Sequence, residues 1–230
     1  MKSLKNKSKN IYIDFSENFD KKILSCITIS NNLYDSKDTL DRLLNEKKIN
    51  FNKIAYCEQI HSNNVVFIDK PGIYSDSDGL VAKSNAGIFL KIQTADCAPI
   101  FIYDSKSELI GLVHSGWKGT QKGISKNAID LFIKNGSKPS DIQVFIGPFI
   151  KKCCYEVKNN VSSKFDDKYI FKNDNKLFLD LETKIIDDLL LCGLNLKNIK
   201  FSKLCTFENQ ICHSFRKSNS TERMYSLIGV

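Results

Sequence analysis

Short apolar runs, each about the length of one β-strand, punctuate this chain and commit it to a sheet-rich fold. They cover residues 11–15, 23–29, 54–60, 65–68, 87–92, 99–103, 109–114 and 142–146, with polar turns between them; runs of this length bounded by turn residues read as strands. Helices are fewer. Leu40, Leu43 and Leu44 lie at helical spacing within 38–48, after the caps Asp35 and Ser36. A second helix is expected from Gly119 or Thr120 to Lys134, ended by Asn135 and Gly136, and a third over about 180–191, ended by Gly193. The polar stretch 158–175 reads as a short surface helix and a loop. The mixture predicts an α/β or α+β-like sandwich, with mixed sheets packed together and helices outside. No composition break or repeat divides the chain, so one domain is expected over 11–230, after a basic tail over 1–10. Neither a GxGxxG nor a Walker A loop is present, which excludes dinucleotide and P-loop readings.

The formal charge of +8 would suit a nucleic-acid partner, but it is spread, almost all lysine, and mixed with asparagine. No arginine-rich arm or aromatic-basic module accompanies it, so no nucleic-acid partner is expected. No run reaches the ~18 apolar residues of a membrane span, and Asp14 breaks the first apolar stretch before a secretory core can form. The expected setting is the cytoplasm, with no membrane partner. There the eight cysteines should be reduced, serving as core filler or ligands. No CxxC pair occurs, so ribbon-type structural zinc is not expected, and the adjacent Cys153 and Cys154 would need strained geometry to bridge each other.

The chemistry concentrates in three turns. Of only three histidines, His61 and His114 stand where apolar runs end, and Cys97 is placed the same way between them. Two imidazoles and a thiolate leave a fourth position open on a tetrahedral Zn²⁺, the arrangement of catalytic zinc. Cu²⁺ could occupy the same donors, although a multicopper centre needs many more histidines than three. Asp96 could accept a proton from a ligand imidazole, act as general base, or cap its turn. Beyond His114, the small residues Ser115, Gly116 and Gly119 lead into the second helix, whose start, with Lys118, suits an anion. Trp117, the only tryptophan, could stack on a ring or fill core. In a lysine-rich background Arg216 and Arg223 stand out as planar forks for phosphate or carboxylate. A second enzyme reading makes Cys97 a nucleophile with His114 as its base.

These turns, taken with residues 78–81 (DGLV), 146–148 (IGP) leading to 153–157 (CCYEV), and Cys205 and Thr206 leading to Ser214, Phe215 and Arg216, resemble the bacterial YfiH family. That family was long labelled laccase-domain or polyphenol oxidase and is now assigned as purine nucleoside phosphorylase with adenosine deaminase activity. The resemblance runs in order from about residue 54 to the end. It implies a layered α/β/β/α sandwich related to cysteine-hydrolase toxins, and zinc held by His61, Cys97 and His114. It further implies phosphorolysis of adenosine, inosine and S-methyl-5'-thioadenosine, with hydrolytic deamination of adenosine. Catalysis would then fall to Cys97, His61, His114 and Asp96, and substrate or phosphate binding to Lys118, Arg216, Arg223 and Gln59. The partners would be purine nucleosides and phosphate, on a monomer or weak homo-oligomer. A role in editing cell-wall precursor use is the non-enzymatic alternative. This chain departs from the family's pattern at Lys118, at Lys151 and Lys152, at Lys217, and at Glu222, where a glycine is usual.

Overall fold

The structure is a computed structural model and describes residues 11–19, 22–30 and 33–230; the basic tail expected over 1–10 lies outside them. In chain order the strands are β1 (Tyr12–Asp14), β2 (Leu24–Thr28), β3 (Ile54–Cys57), β4 (Val65–Ile68), β5 (Gly72–Tyr74), β6 (Gly79–Lys83), β7 (Phe89–Thr94), β8 (Ala98–Asp104), β9 (Leu109–Ser115), β10 (Gln143–Ile146), β11 (Glu156–Val157), β12 (Ile170–Asn173), β13 (Lys176–Leu179), β14 (Ile199–Phe201) and β15 (Met224–Gly229). The helices are α1 (Ser36–Glu46), α2 (Trp117–Gln121), α3 (Ile124–Lys134), α4 (Asn159–Ser162), α5 (Leu181–Leu191) and α6 (Phe215–Ser218).

Two six-stranded mixed sheets carry the fold. The first runs β1-β2-β15-β7-β3-β5 and the second β14-β10-β8-β9-β6-β4, with a three-stranded sheet β11-β13-β12 beside them. The two-residue period of each strand sorts its side chains into layers. On β8, Phe101 and Tyr103 pack between the sheets, whereas Ile100 and Ile102 turn to the far side, against Ile129 and Phe132 of α3 and Ile185 of α5. On β15, Met224 and Ile228 face the second sheet, and Leu227 packs under Leu40, Leu43 and Leu44 of α1. The result is the expected α/β/β/α layering. No helix among the described residues is long and apolar enough to cross a membrane, and all eight cysteines are free.

The strands β3, β5 and β7 lie parallel to one another, so their C-terminal ends share one edge of the first sheet. From each of these ends the chain crosses to the second sheet, through residues 58–64, 75–78 and 95–97. The C-terminal end of β9 meets the same edge, because His114 pairs with Pro99 at the start of β8 and Val113 with Gly79 at the start of β6.

Several expectations are corrected here. The strand expected over 54–60 stops at Cys57, because the backbone N–H groups of Ile60, His61 and Ser62 all turn to one buried carboxylate. An extended strand points successive N–H groups in opposite directions and cannot do this. The helix expected from 119 or 120 begins at Trp117 and is broken into α2 and α3 at Gly123, whose φ of 76° lies in the left-handed region. Part of 158–175, expected as loop, forms β12 on the small sheet. The strands β5, β6, β11, β13, β14 and β15 lie outside the expected runs.

The departures at 222, 151 and 152 have structural partners. Glu222 accepts hydrogen bonds from the backbone N–H of Ser36 at 2.6 Å and from the Ser36 hydroxyl, which places an anion at the N-terminus of α1 beside the Asp35 cap, itself 2.8 Å from the Asp38 N–H. Glu222→Gly is expected to lower stability by about 1 kcal/mol, read as a drop of a few degrees in Tm. The Ser36 hydroxyl and N–H hold the Glu222 carboxyl below its ordinary 4.5. Its contribution therefore stands above that pH and fades as the pH falls through the lowered value. Lys151 and Lys152 pair with Glu182 and Asp180 at the start of α5.

Candidate metal centre

His61, Cys97 and His114 meet at the shared edge where the crossings leave the first sheet. One donor atom from each lies within 4.8 Å of the others. Cys97 Sγ is 4.0 Å from His61 Nε2, close to the ~3.6 Å edge of a tetrahedron built on Zn–S and Zn–N bonds of ~2.3 and ~2.0–2.1 Å. The two imidazole rings stand edge to face, 4.8 Å apart at an interplanar angle of 83°. His114 is buried, Cys97 half-buried and His61 exposed, so the cluster opens to solvent on the His61 side.

Asp78 organises it. This carboxylate, 0% exposed, accepts from the N–H groups of His61 at 3.0 Å and Ser62 at 2.6 Å, from the Ser62 hydroxyl at 2.7 Å, and more weakly from the Ile60 N–H at 3.3 Å. It also lies 2.7 Å from His114 Nδ1. Burial pushes its pKa up, but the bonds from His114 and Ser62 outweigh that and hold it at about 2. With Nδ1 spent on Asp78, His114 presents Nε2 as its donor. A carboxylate behind a ligand histidine fixes both tautomer and ring orientation. Burial raises the Cys97 thiol, but His114 and His61 outweigh it and draw the thiol down to about 6; His114 itself is raised to about 9 by Cys97 and Asp78, against its burial.

The backbone is shaped to the same end. His61 and Asp96 sit at φ 60° and 85°, a region that costs a non-glycine residue of order 1 kcal/mol and is held only by surrounding bonds. A Cβ on Gly116 would lie 2.9 Å from Cys97 Sγ and 3.1 Å from His61 Cδ2; only glycine leaves the donors their place. Borderline-to-soft donors, an oriented imidazole and this bare cradle fit a divalent transition-metal cation. Gly116→Ala is expected to retain the fold while lowering metal affinity at least tenfold, as judged by competition with a chromogenic chelator beside a thermal melt.

The other expected site residues divide. The carboxylate on His114 Nδ1 is Asp78 and not Asp96. The Asp96 carboxylate instead accepts from the Thr206 hydroxyl at 2.6 Å and the Arg216 N–H at 2.7 Å, which makes it a turn-capping and positioning group. Arg216 donates from Nη1 to the Glu156 carbonyl at 2.7 Å and lines a cleft of about 360 Å³ with Trp117 and Tyr155. Lys118 is exposed at this side, its Nζ 5.8 Å from the Trp117 ring centre. Arg223 does not line this cleft: its Nη1 donates to the carbonyls of Ser220 and Glu222 in its own loop. Gln59 lines a second cleft of about 430 Å³ together with Ile60 and Lys91, but its amide exchanges two hydrogen bonds with the Gln93 backbone. Asp78 was not singled out as a site residue in the sequence, although it opens one of the motifs quoted above.

A layered sandwich with a His₂Cys cluster where its sheets exchange strands defines the class of protein. The profile of the family described as multi-copper polyphenol oxidoreductase laccase matches residues 30–230. The chain belongs to this laccase-domain family, which includes the YfiH and YlmD proteins. It is 34% identical over 182 residues to a purine nucleoside phosphorylase of Borreliella burgdorferi, covering 76% of this chain and 79% of that one. A purine nucleoside phosphorylase of Clostridium acetobutylicum is 32% identical over an alignment of 242 positions, covering 98% of both. Among solved structures, YlmD of Geobacillus stearothermophilus superposes with a TM-score of 0.82 at 26% identity, covering 90% of this chain and 91% of its own.

Proposed function

We propose that the chain is a zinc-dependent purine nucleoside enzyme. It cleaves adenosine, inosine and S-methyl-5'-thioadenosine with phosphate to free base and (methylthio)ribose 1-phosphate, and hydrolytically deaminates adenosine as a second activity. The observation that carries the reading is the convergence of His61, Cys97 and His114 on one solvent-facing point, on a chain whose relatives are named purine nucleoside phosphorylases. His61, Cys97 and His114 would hold the zinc, which when bound supplies Lewis-acid polarisation and activates water near neutral pH. A site of two histidines and one cysteine suits zinc, and the whole chain has too few histidines for several coppers.

The protein's own residues supply binding and order. Arg216, which lines the cleft, and Lys118, beside its Trp117 wall, would serve as the phosphate-binding groups, and Trp117 and Tyr155 as flat surfaces for a purine. In phosphorolysis a phosphate oxygen bonds to the sugar C1′ as the glycosidic C–N bond breaks and the base leaves with a proton. Asp96 joins the Cys97 turn to Thr206 and Arg216, so the metal and phosphate sides keep a fixed spacing.

The test incubates purified, zinc-loaded protein with adenosine, with and without phosphate, and resolves adenine from inosine. Adenine formed only with phosphate marks phosphorolysis, and inosine in both conditions marks deamination. Absence of both products would sink the proposal. A second reading has a geometric basis too: Cys97, His114 and Asp78 follow the order nucleophile, base and orienting acid. In that case the metal-loaded protein should react with a thiol-directed acylating agent as fast as the chelated one.

A further inference from the structure

We propose that Cys153, Cys154, Cys205 and Glu208 form a second, structural zinc site that staples the walls of the nucleoside cleft. One donor atom from each of the four residues lies within 4.8 Å of the others. The Sγ atoms of Cys153 and Cys154 are 3.4 Å apart, far beyond a disulfide's ~2.05 Å and near the ~3.8 Å edge of a tetrahedron with Zn–S bonds of ~2.3 Å. Without a CxxC pair, the sequence shows no sign of this cluster; it arises because two distant turns are laid side by side.

The first turn is closed by the Cys154 and Tyr155 N–H groups on the Lys151 carbonyl, both at 2.9 Å, and the second by the Asn209 N–H on the Cys205 carbonyl at 3.0 Å. A parallel bridge between Phe149 and Cys205 joins them. The Lys151 backbone N–H donates to Cys205 Sγ at 3.4 Å, the kind of outer bond that supports a ligating thiolate. Three thiolates and one carboxylate around Zn²⁺ carry a net charge of about −2; the Lys151 ammonium, over the Phe149 ring at 3.7 Å, is already paired with Glu182. Three sulfurs select a thiophilic cation over Mg²⁺ or Ca²⁺, and four protein donors close the coordination shell as in structural zinc sites. Binding exchanges the three thiol protons for the cation.

The position gives the site its purpose. Tyr155, next to Cys154, lies beneath the Arg216 guanidinium at 5.3 Å, and the Glu156 carbonyl accepts from it. Thr206, next to Cys205, holds Asp96, the neighbour of Cys97. A cation here would lock together the segments that position Arg216 and Asp96 without touching substrate.

Co²⁺ titration of the reduced, metal-free protein tests this, since thiolate ligation gives an intense near-ultraviolet charge-transfer band. The wild type is expected to take up about two equivalents, with four thiolates contributing across both sites. Cys205→Ser should leave about one equivalent and roughly a quarter of the band, whereas Cys97→Ala should leave about one equivalent and roughly three quarters. Glu208→Gln, the milder change, should keep the band but weaken uptake at this site at least tenfold. Uptake by Cys97→Ala of no Co²⁺, or of Co²⁺ without the band, would overturn the second site, as would a wild type whose Cys153, Cys154 and Cys205 stay metal-free after reduction. Uptake lost in Cys205→Ser but unchanged in Cys97→Ala supports this site and counts against the first, so the two assignments fail separately.

Discussion

Replacing Cys97 by Ala is expected to remove the zinc of the His61, Cys97 and His114 centre and nucleoside turnover together, leaving the fold in place. The thiolate is the strongest donor of the trio, and its loss leaves two imidazoles on a cation that needs at least three protein ligands to stay put at a catalytic site. The fall in affinity should exceed the 10–100-fold typical of an outer-shell change, and adenosine cleavage in the presence of phosphate should drop below detection. Cys97 is only half-buried at a turn between sheets, so circular dichroism should stay native. Metal analysis of the purified variant, with the adenosine assay run on the same sample, decides the matter. Turnover that survives in a variant whose His61, Cys97 and His114 centre has lost its metal would refute the metal role and favour a metal-independent mechanism.

Asp78→Asn is expected to be nearly as damaging, although it changes one atom and touches no substrate. The aspartate offers only acceptors, and the Ile60, His61 and Ser62 N–H groups, the Ser62 hydroxyl and His114 Nδ1 converge on them. An asparagine turns one of those acceptors into an NH₂ that faces donors, and each buried donor left unpaired costs about 1–3 kcal/mol. A stability loss of about 3–5 kcal/mol is expected from denaturant titration, and a 10–100-fold loss of zinc affinity because His114 is no longer held in one tautomer. The acid limb offers an independent check. The Asp78 pKa falls from an ordinary 3.8 to about 2 in the fold. Its stabilising effect is therefore complete above pH 4 and is lost as the pH falls toward 2, so the variant should show a flatter stability profile across that range. A wild-type metal affinity in Asp78→Asn would show that His114 is oriented by something else.

The donor trio could be seen in the sequence because its members are metal-ligating residue types at or just beyond the ends of apolar runs. Asp78 could not be distinguished in the same way. It stands in a Ser-Asp-Ser-Asp-Gly turn over 75–79, and nothing in one sequence separates it from Asp76; burial does, since Asp78 is enclosed and Asp76 is exposed. Ile60 misled for the opposite reason. It continues an apolar run but is 55% exposed, because the pull of Asp78 on the backbone takes the chain out of the sheet before it. The strand β15 packs in the middle of the first sheet, yet its Ser226 and terminal Gly229 hide the alternation, and Gly229 is there because a Cβ would lie 2.3 Å from the Phe89 ring. Gly123 was the one visible warning that the long helix would break.

The parallel ends of β3, β5 and β7 have a mechanical consequence. His61 and Cys97 hang on segments that pass from one sheet to the other, while His114 closes a strand of the second, so an ion gripping all three would act as a buckle across the sandwich. Withdrawing it should lower the stability of the entire protein rather than fray one rim, by about 4 kcal/mol when the free ion stands a thousandfold above its dissociation constant.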